Sequence, residues 1–413
     1  MNTCIDDAIA GYLDETARRI TAYWRGDRTL EGFAEAAYKA LEDHPIGPDF
    51  APRKLAEFIL RGRMPPQTRY QVEFADPSVT VFRCPEFSIE INFWRHSTTA
   101  IHQHSFAGAF CVLSGQSIQA TWSFDTVTQV SQQVRLGNLD KTNLELLRAG
   151  AVRPIYPGQR LIHSVFHLSY PTVTLVVRAN SGDRGASEPP FLYLPPGVSY
   201  SPRGHNEDFE KRASVFEVLR NVSGDSISSA ISLAGSGLTP DEWIYLLVRL
   251  IGNGTASRAC RQLASLASEM CPGLSGYVEP AVDRLLNDRL SASLRRKVLS
   301  DTGRLLIALL LNCNELDALV LSLKKFSITD PIQFISTHAL ELIEAVTGPH
   351  LKATDDGEVE IIRYLLDGRS RQEALVATSA KGSRIPAQTA ADIYDVLENT
   401  PFFRPLLSRR ICA

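Results

Sequence analysis

The stretch Thr99–Gly115, TAIHQHSFAGAFCVLSG, sets His102 and His104 one residue apart and then runs into an apolar segment that ends in glycine. In an extended strand, residues i and i+2 point to the same face, so the two imidazoles look the same way and bring two ring nitrogens close together. Alone, such a pair reads better as two polar residues at a strand edge than as a metal site, so the surroundings decide its meaning. Upstream, Val79–Phe82 and Phe87–Trp94 alternate with period two, with Phe87, Ile89, Ile91 and Phe93 on one face. Downstream, segments 108–113, 117–124, 129–136, 160–168 and 172–178 are separated by glycine and proline turns. Short strands at this spacing predict a sandwich or small barrel.

A third histidine, His163, lies in Pro157-Gly-Gln-Arg-Leu-Ile-His-Ser-Val-Phe-His167, where a turn again feeds a strand. A barrel can bring these two distant segments together, and three imidazoles then suit a metal ion. His167 falls four positions after His163, on the same strand face, and is a catalytic candidate that reads as a donor supporting the ligands or an additional ligand, and equally as a histidine packed in the core.

The two segments resemble the two motifs of the cupin superfamily: His-x-His with an apolar strand ending in glycine, then a Pro-Gly turn followed by histidine. Cupins usually carry a glutamate where this chain has Gly108. Without that carboxylate the ligand set is His102, His104 and His163, similar to the three-histidine cysteine dioxygenase branch. Phe87-Ser-Ile-Glu-Ile-Asn-Phe-Trp94, Thr98-Thr-Ala-Ile-His-Gln-His104, and His163-Ser-Val with Thr172-Val-Thr-Leu175 follow the pattern of that branch. The resemblance implies a cupin-type β-barrel (double-stranded β-helix) with Fe(II) as cofactor, and on it Gly108→Glu would restore the ordinary cupin carboxylate. It covers roughly residues 68 to 180, and it departs from the branch where a tyrosine and a histidine are expected, near Arg178 and Val176.

The fold class expected is therefore α+β, in four parts: an N-terminal helical segment 1–63, the barrel 64–181, a linker 182–207 and an all-α domain 208–413. The helical readings rest on apolar spacing such as Leu30, Phe33, Ala37 and Leu41, and on the helix start Thr239-Pro-Asp-Glu242. A net charge of −3 leaves no basic footprint for nucleic acid. The longest apolar run, Leu305–Leu311, is too short for a membrane span, and the acidic start lacks the features of a secretion signal, which predicts a cytoplasmic protein. Seven cysteines without a Cys-x-x-Cys pair argue against a disulfide framework or a cysteine-rich zinc site.

Three neutral imidazoles leave a divalent iron its full charge and open positions for an anionic substrate and dioxygen. The expected activity is that of a mononuclear non-heme iron dioxygenase, oxidising a small metal-bound anion, a thiol or amino acid derivative, with O2. Arg83, Arg160 and Arg178 are the candidate anion holders, because a guanidinium fork matches a carboxylate. Tyr156 is a candidate catalytic residue at the barrel mouth. Two other readings stay open: a zinc, nickel or manganese cupin doing non-oxidative chemistry, and a ligand sensor whose helical half forms a homodimer or binds a protein partner.

Overall fold

In the computed structural model, residues 3–47, 50–67, 75–96, 98–180, 189–202, 207–223, 237–348, 356–380 and 387–408 are described. The chain divides into two compact units, Met1–Leu285 and Leu286–Ala413. The first opens with helices α1 (Thr3–Tyr23), α2 (Leu30–Glu42) and α3 (Pro52–Arg61). Thr29 caps α2 by accepting from the Gly32 amide, and Pro52 starts α3 where its missing N–H costs nothing.

Among the described residues eleven strands follow: β1 (Ser78–Arg83), β2 (Phe87–Trp94), β3 (Ile101–Gln103), β4 (Gly108–Ser114), β5 (Gln116–Gln129), β6 (Val134–Arg148), β7 (Val152–Ile155), β8 (Ile162–His167), β9 (Thr172–Ala179), β10 (Leu192–Leu194) and β11 (Val198–Tyr200). They form a five-stranded sheet in the order β1-β2-β9-β4-β7 and a closed ring β10-β11-β6-β5-β8-β3. This is the expected α+β architecture, a β-barrel region preceded by helices and followed by a helical region.

Alternation along the five-stranded sheet sorts its faces. Phe87, Ile89 and Ile91 of β2, Ala109 and Cys111 of β4, and Val173, Leu175 and Val177 of β9 form one core with Phe33, Ala37 and Leu41 of α2. The period-two set read in the sequence thus faces the N-terminal helices. Residues of opposite parity, among them Glu90, Phe110, Val112 and Arg178, turn to the other face. There Phe110 and Val112 pack with Leu147 and Ile155, and the Phe110 ring lies 6.3 Å from that of His163.

The ring encloses a second core of Ile101, Phe124, Leu139, Ile162, Phe191 and Tyr193. Strands β3 and β8 are therefore buried on both faces, with histidines on one side and this aromatic cluster on the other. Gln103, between the two histidines, looks into the aromatic side, where it accepts from the Tyr193 hydroxyl and donates to the Pro189 carbonyl.

Two local readings are corrected. The expected strand 129–136 contains the tip of a long β5–β6 hairpin, whose second arm runs through 137–148. Gly137, Asn138, Asp140 and Asn143 mask that arm in the sequence, and cross-strand pairing overrides their weak propensity. The expected linker contributes β10 and β11, which pair with β3 and β6; residues 181–188 and 203–206 of it lie outside the described residues.

Beyond the strands the first unit carries helices Glu207–Ser223, Pro240–Gly252 and Ser257–Met270. Thr239 and Glu242 form the capping box expected at that start, and Tyr245 donates its hydroxyl to the Ser201 carbonyl. In the second unit, the apolar run becomes helix Asp301–Asn312, with Leu305 through Leu310 buried. Among the described residues no helix is long and apolar enough to cross a membrane.

Candidate metal centre

His102 of β3 lies directly opposite His163 of β8 in the antiparallel register, so both side chains share a face. His104 follows the end of β3 and is held by a bridge to Pro157 and by the Gly158 amide, which donates to the His104 carbonyl at 2.8 Å. Ring centroids are 4.6 Å apart for His102 and His104, 4.7 Å for His102 and His163, and 5.0 Å for His104 and His163. One ring nitrogen from each lies within 4.8 Å of the others, and His104 Nε2 approaches His163 Nε2 to 2.9 Å.

His102 Nδ1 is 2.8 Å from the Ala100 carbonyl, which can only accept, so Nδ1 carries the proton and Nε2 is the unprotonated nitrogen of the neutral ring. Burial pushes the His102 pKa below its ordinary value, and pushes His104 and His163 well below theirs. The neighbouring histidines lower His104 and His163 further, and Arg178 adds to the effect on His104. Burial thus favours the neutral form of each imidazole, the state a ligand needs. His163 Nδ1 is buried with no hydrogen-bond partner among the described residues. Three neutral nitrogen donors at these separations fit a divalent ion after a small rotation of the rings.

Arg178 lies near this cluster: its guanidinium sits 4.0 Å over the Phe106 ring, and that ring contacts His104 edge-on at 4.8 Å between centroids. The remaining candidates lie elsewhere. Arg83 is exposed at the end of β1, where it donates to the Pro66 carbonyl and lines a shallow groove with Arg63 and Met64. Arg160 pairs with Glu31 of α2 at 2.6 Å and stacks on Tyr156. Tyr156 donates its hydroxyl to Glu35 of α2, and burial together with that bond pushes its pKa up to about 12. Both residues fasten the Pro157 turn to α2.

His167 is four residues beyond His163, about 13 Å along the strand. It stacks on Trp94 with centroids 4.2 Å apart and shares a 2.9 Å hydrogen bond with Ser117. Gly108 has a steric origin: a Cβ there would stand 1.9 Å from the Val177 carbonyl oxygen. The Gly108→Glu expectation is corrected accordingly, since this backbone admits no side chain at that position.

The sequence reading passed over Phe106 and Gln119. Period-two alternation could have marked Gln119, which shares a parity with Ser117 and Thr121, the partners of His167 and His163.

No protein-family model matches the sequence, and no curated protein matches it. Among solved structures, the chain is similar to a hydroquinone 1,2-dioxygenase from Sphingomonas sp. TTNP3 with 4-hydroxybenzoate bound, at 14% identity and a TM-score of 0.21, over 26% of this chain and 68% of that one. It is also similar to a sugar phosphate isomerase of the cupin superfamily from Silicibacter pomeroyi, at 12% identity and a TM-score of 0.21, over 32% and 80%. A dimethylsulfoniopropionate (DMSP) lyase structure gives 14% identity and a TM-score of 0.23, over 44% and 97%. Likenesses this slight carry no weight for the chemistry, which is read from the site's own geometry.

Proposed function

We propose that the chain is a metal-dependent oxygenase of cupin type, a mononuclear Fe(II) dioxygenase that oxidises a small anionic substrate with O2. The observation that carries this reading is the cluster of His102, His104 and His163, neutral nitrogen donors with no carboxylate in the group. An Fe(II) ion held by these three would supply open coordination positions for substrate and dioxygen and the electron that activates the latter.

The chain's own residues supply the rest. The Ala100 carbonyl fixes the His102 tautomer, and the second core behind β3 and β8 keeps the ring positions rigid. Arg178 adds positive charge beside His104 and draws an anion toward the cluster. Phe110, Val112 and Leu147 form an apolar wall that limits water at the reacting centre.

The deciding experiment is metal analysis of protein purified without chelator, followed by oxygen uptake with thiols, amino acids and hydroxy acids. Bound iron and substrate-dependent uptake are expected. Bound zinc with turnover that persists without oxygen would replace this reading by a hydrolytic or isomerising one, and ligand binding without turnover would replace it by a sensor.

A further inference from the structure

Gln119 sits on β5 opposite Val165 of β8, with His163 and His167 as its two diagonal neighbours. Its side chain therefore shares the wall that carries the metal-site histidines. Only 3% of the residue is exposed, yet its Oε1 has no hydrogen-bond partner among the described residues. Glu145, directly opposite it on β6, is engaged by Arg153. A buried amide left in this state is destabilising, because it loses its water without replacement. The adjoining positions on the face include the apolar Val165 and Leu147.

We propose that Gln119 is a substrate-binding residue and that its partner is a hydroxyl group of the substrate. This rests on the metal-centre reading above and deepens it. A carboxamide can be turned either way, so its unpaired atom is an acceptor or a donor; a hydroxyl satisfies both. Arg178 lies by His104 and Gln119 is a diagonal neighbour of His163, so the two residues flank different members of the cluster. The substrate class that fits is a small anion with a hydroxyl remote from its anionic end. The anion is drawn by Arg178 and the hydroxyl is read by Gln119.

The test compares wild type with Gln119→Leu, a substitution of similar volume, in two measurements. The first uses metal-free protein. If the amide is held in reserve for a ligand, Gln119→Leu raises the melting temperature by roughly 2–4 °C, whereas a structural role lowers it. The second uses Co(II)-loaded protein, titrated with 3-hydroxypropionate against propionate and 4-hydroxybutyrate against butyrate while the cobalt absorption is followed. Wild type should favour the hydroxylated member of at least one pair about 10-fold, and Gln119→Leu should abolish that gap. A lowered melting temperature, or equal affinities within both pairs in wild type, overturns the proposal for Gln119. Failure of Co(II) to bind overturns the metal-centre reading instead, and the melting measurement still decides whether Gln119 is structural.

Discussion

The amide of Gly158 donates to the carbonyl of His104 at 2.8 Å, and this bond fixes a candidate ligand that lies just beyond the last residue of β3. The turn that supplies it is fastened to α2 by Tyr156 on Glu35 and by Arg160 on Glu31. Gly158 itself has φ +66°, a conformation in which a Cβ is strained by about 1–2 kcal/mol. Gly158→Ala is therefore expected to reduce stability by that amount and to weaken metal binding, measured by Co(II) titration alongside denaturant unfolding. Unchanged metal affinity would show that His104 does not depend on this turn.

The two ties to α2 should differ in weight. The Arg160–Glu31 pair is largely exposed, so Arg160→Ala should change stability by less than about 1 kcal/mol and leave metal affinity nearly unchanged. Tyr156 is packed into the core shared with α2, so Tyr156→Phe isolates the lost bond to Glu35. About 1–2 kcal/mol of stability should go, with metal affinity reduced by up to about 10-fold through the turn. Equal effects from the two substitutions would count against α2 as a support of the site.

At Gly108 the test is steric. Even alanine would place its Cβ against the Val177 carbonyl oxygen, and strand backbone cannot step aside as a flexible side chain can. Gly108→Ala should destabilise by about 3 kcal/mol or more in denaturant unfolding. A variant as stable as wild type would mean that β4 and β9 do not approach this closely.

The histidine cluster was legible because its signal is local: a His-x-His step, a Pro-Gly turn and strand alternation together decide where three side chains point. Strands β2, β4, β8 and β9 were legible for the same reason, being apolar or alternating. The second arm of the hairpin was not, since its polar residues acquire strand structure only through partners such as Ser123 for Asp140. The arginines differ from one another in placement, Arg178 lying by His104 and Arg83 and Arg160 elsewhere. Sequence identifies a cation but not its counter-charge, and the partner that settles Arg160 is Glu31, well over a hundred residues away in a segment that reads only as a helix.

The last prediction separates ligands from support. His102→Ala, His104→Ala and His163→Ala should each remove most bound metal, because each deletes one of three donors grouped within 4.8 Å. A residue that only supports the ligands, as His167 reads in the sequence, would on substitution by alanine lower activity more than metal content. Its surroundings predict a mainly structural cost, since the ring is buried, stacked on Trp94 and bonded to Ser117, and Trp94 is in turn held by its 2.9 Å bond to Thr174. His167→Ala should retain metal while losing about 2–4 kcal/mol of stability through a cavity and an orphaned hydroxyl. His167→Asn, which keeps a polar partner for Ser117, should recover part of that loss. If His167→Ala instead strips the metal while the fold stays as stable as wild type, His167 belongs to the centre and the three-histidine assignment is wrong.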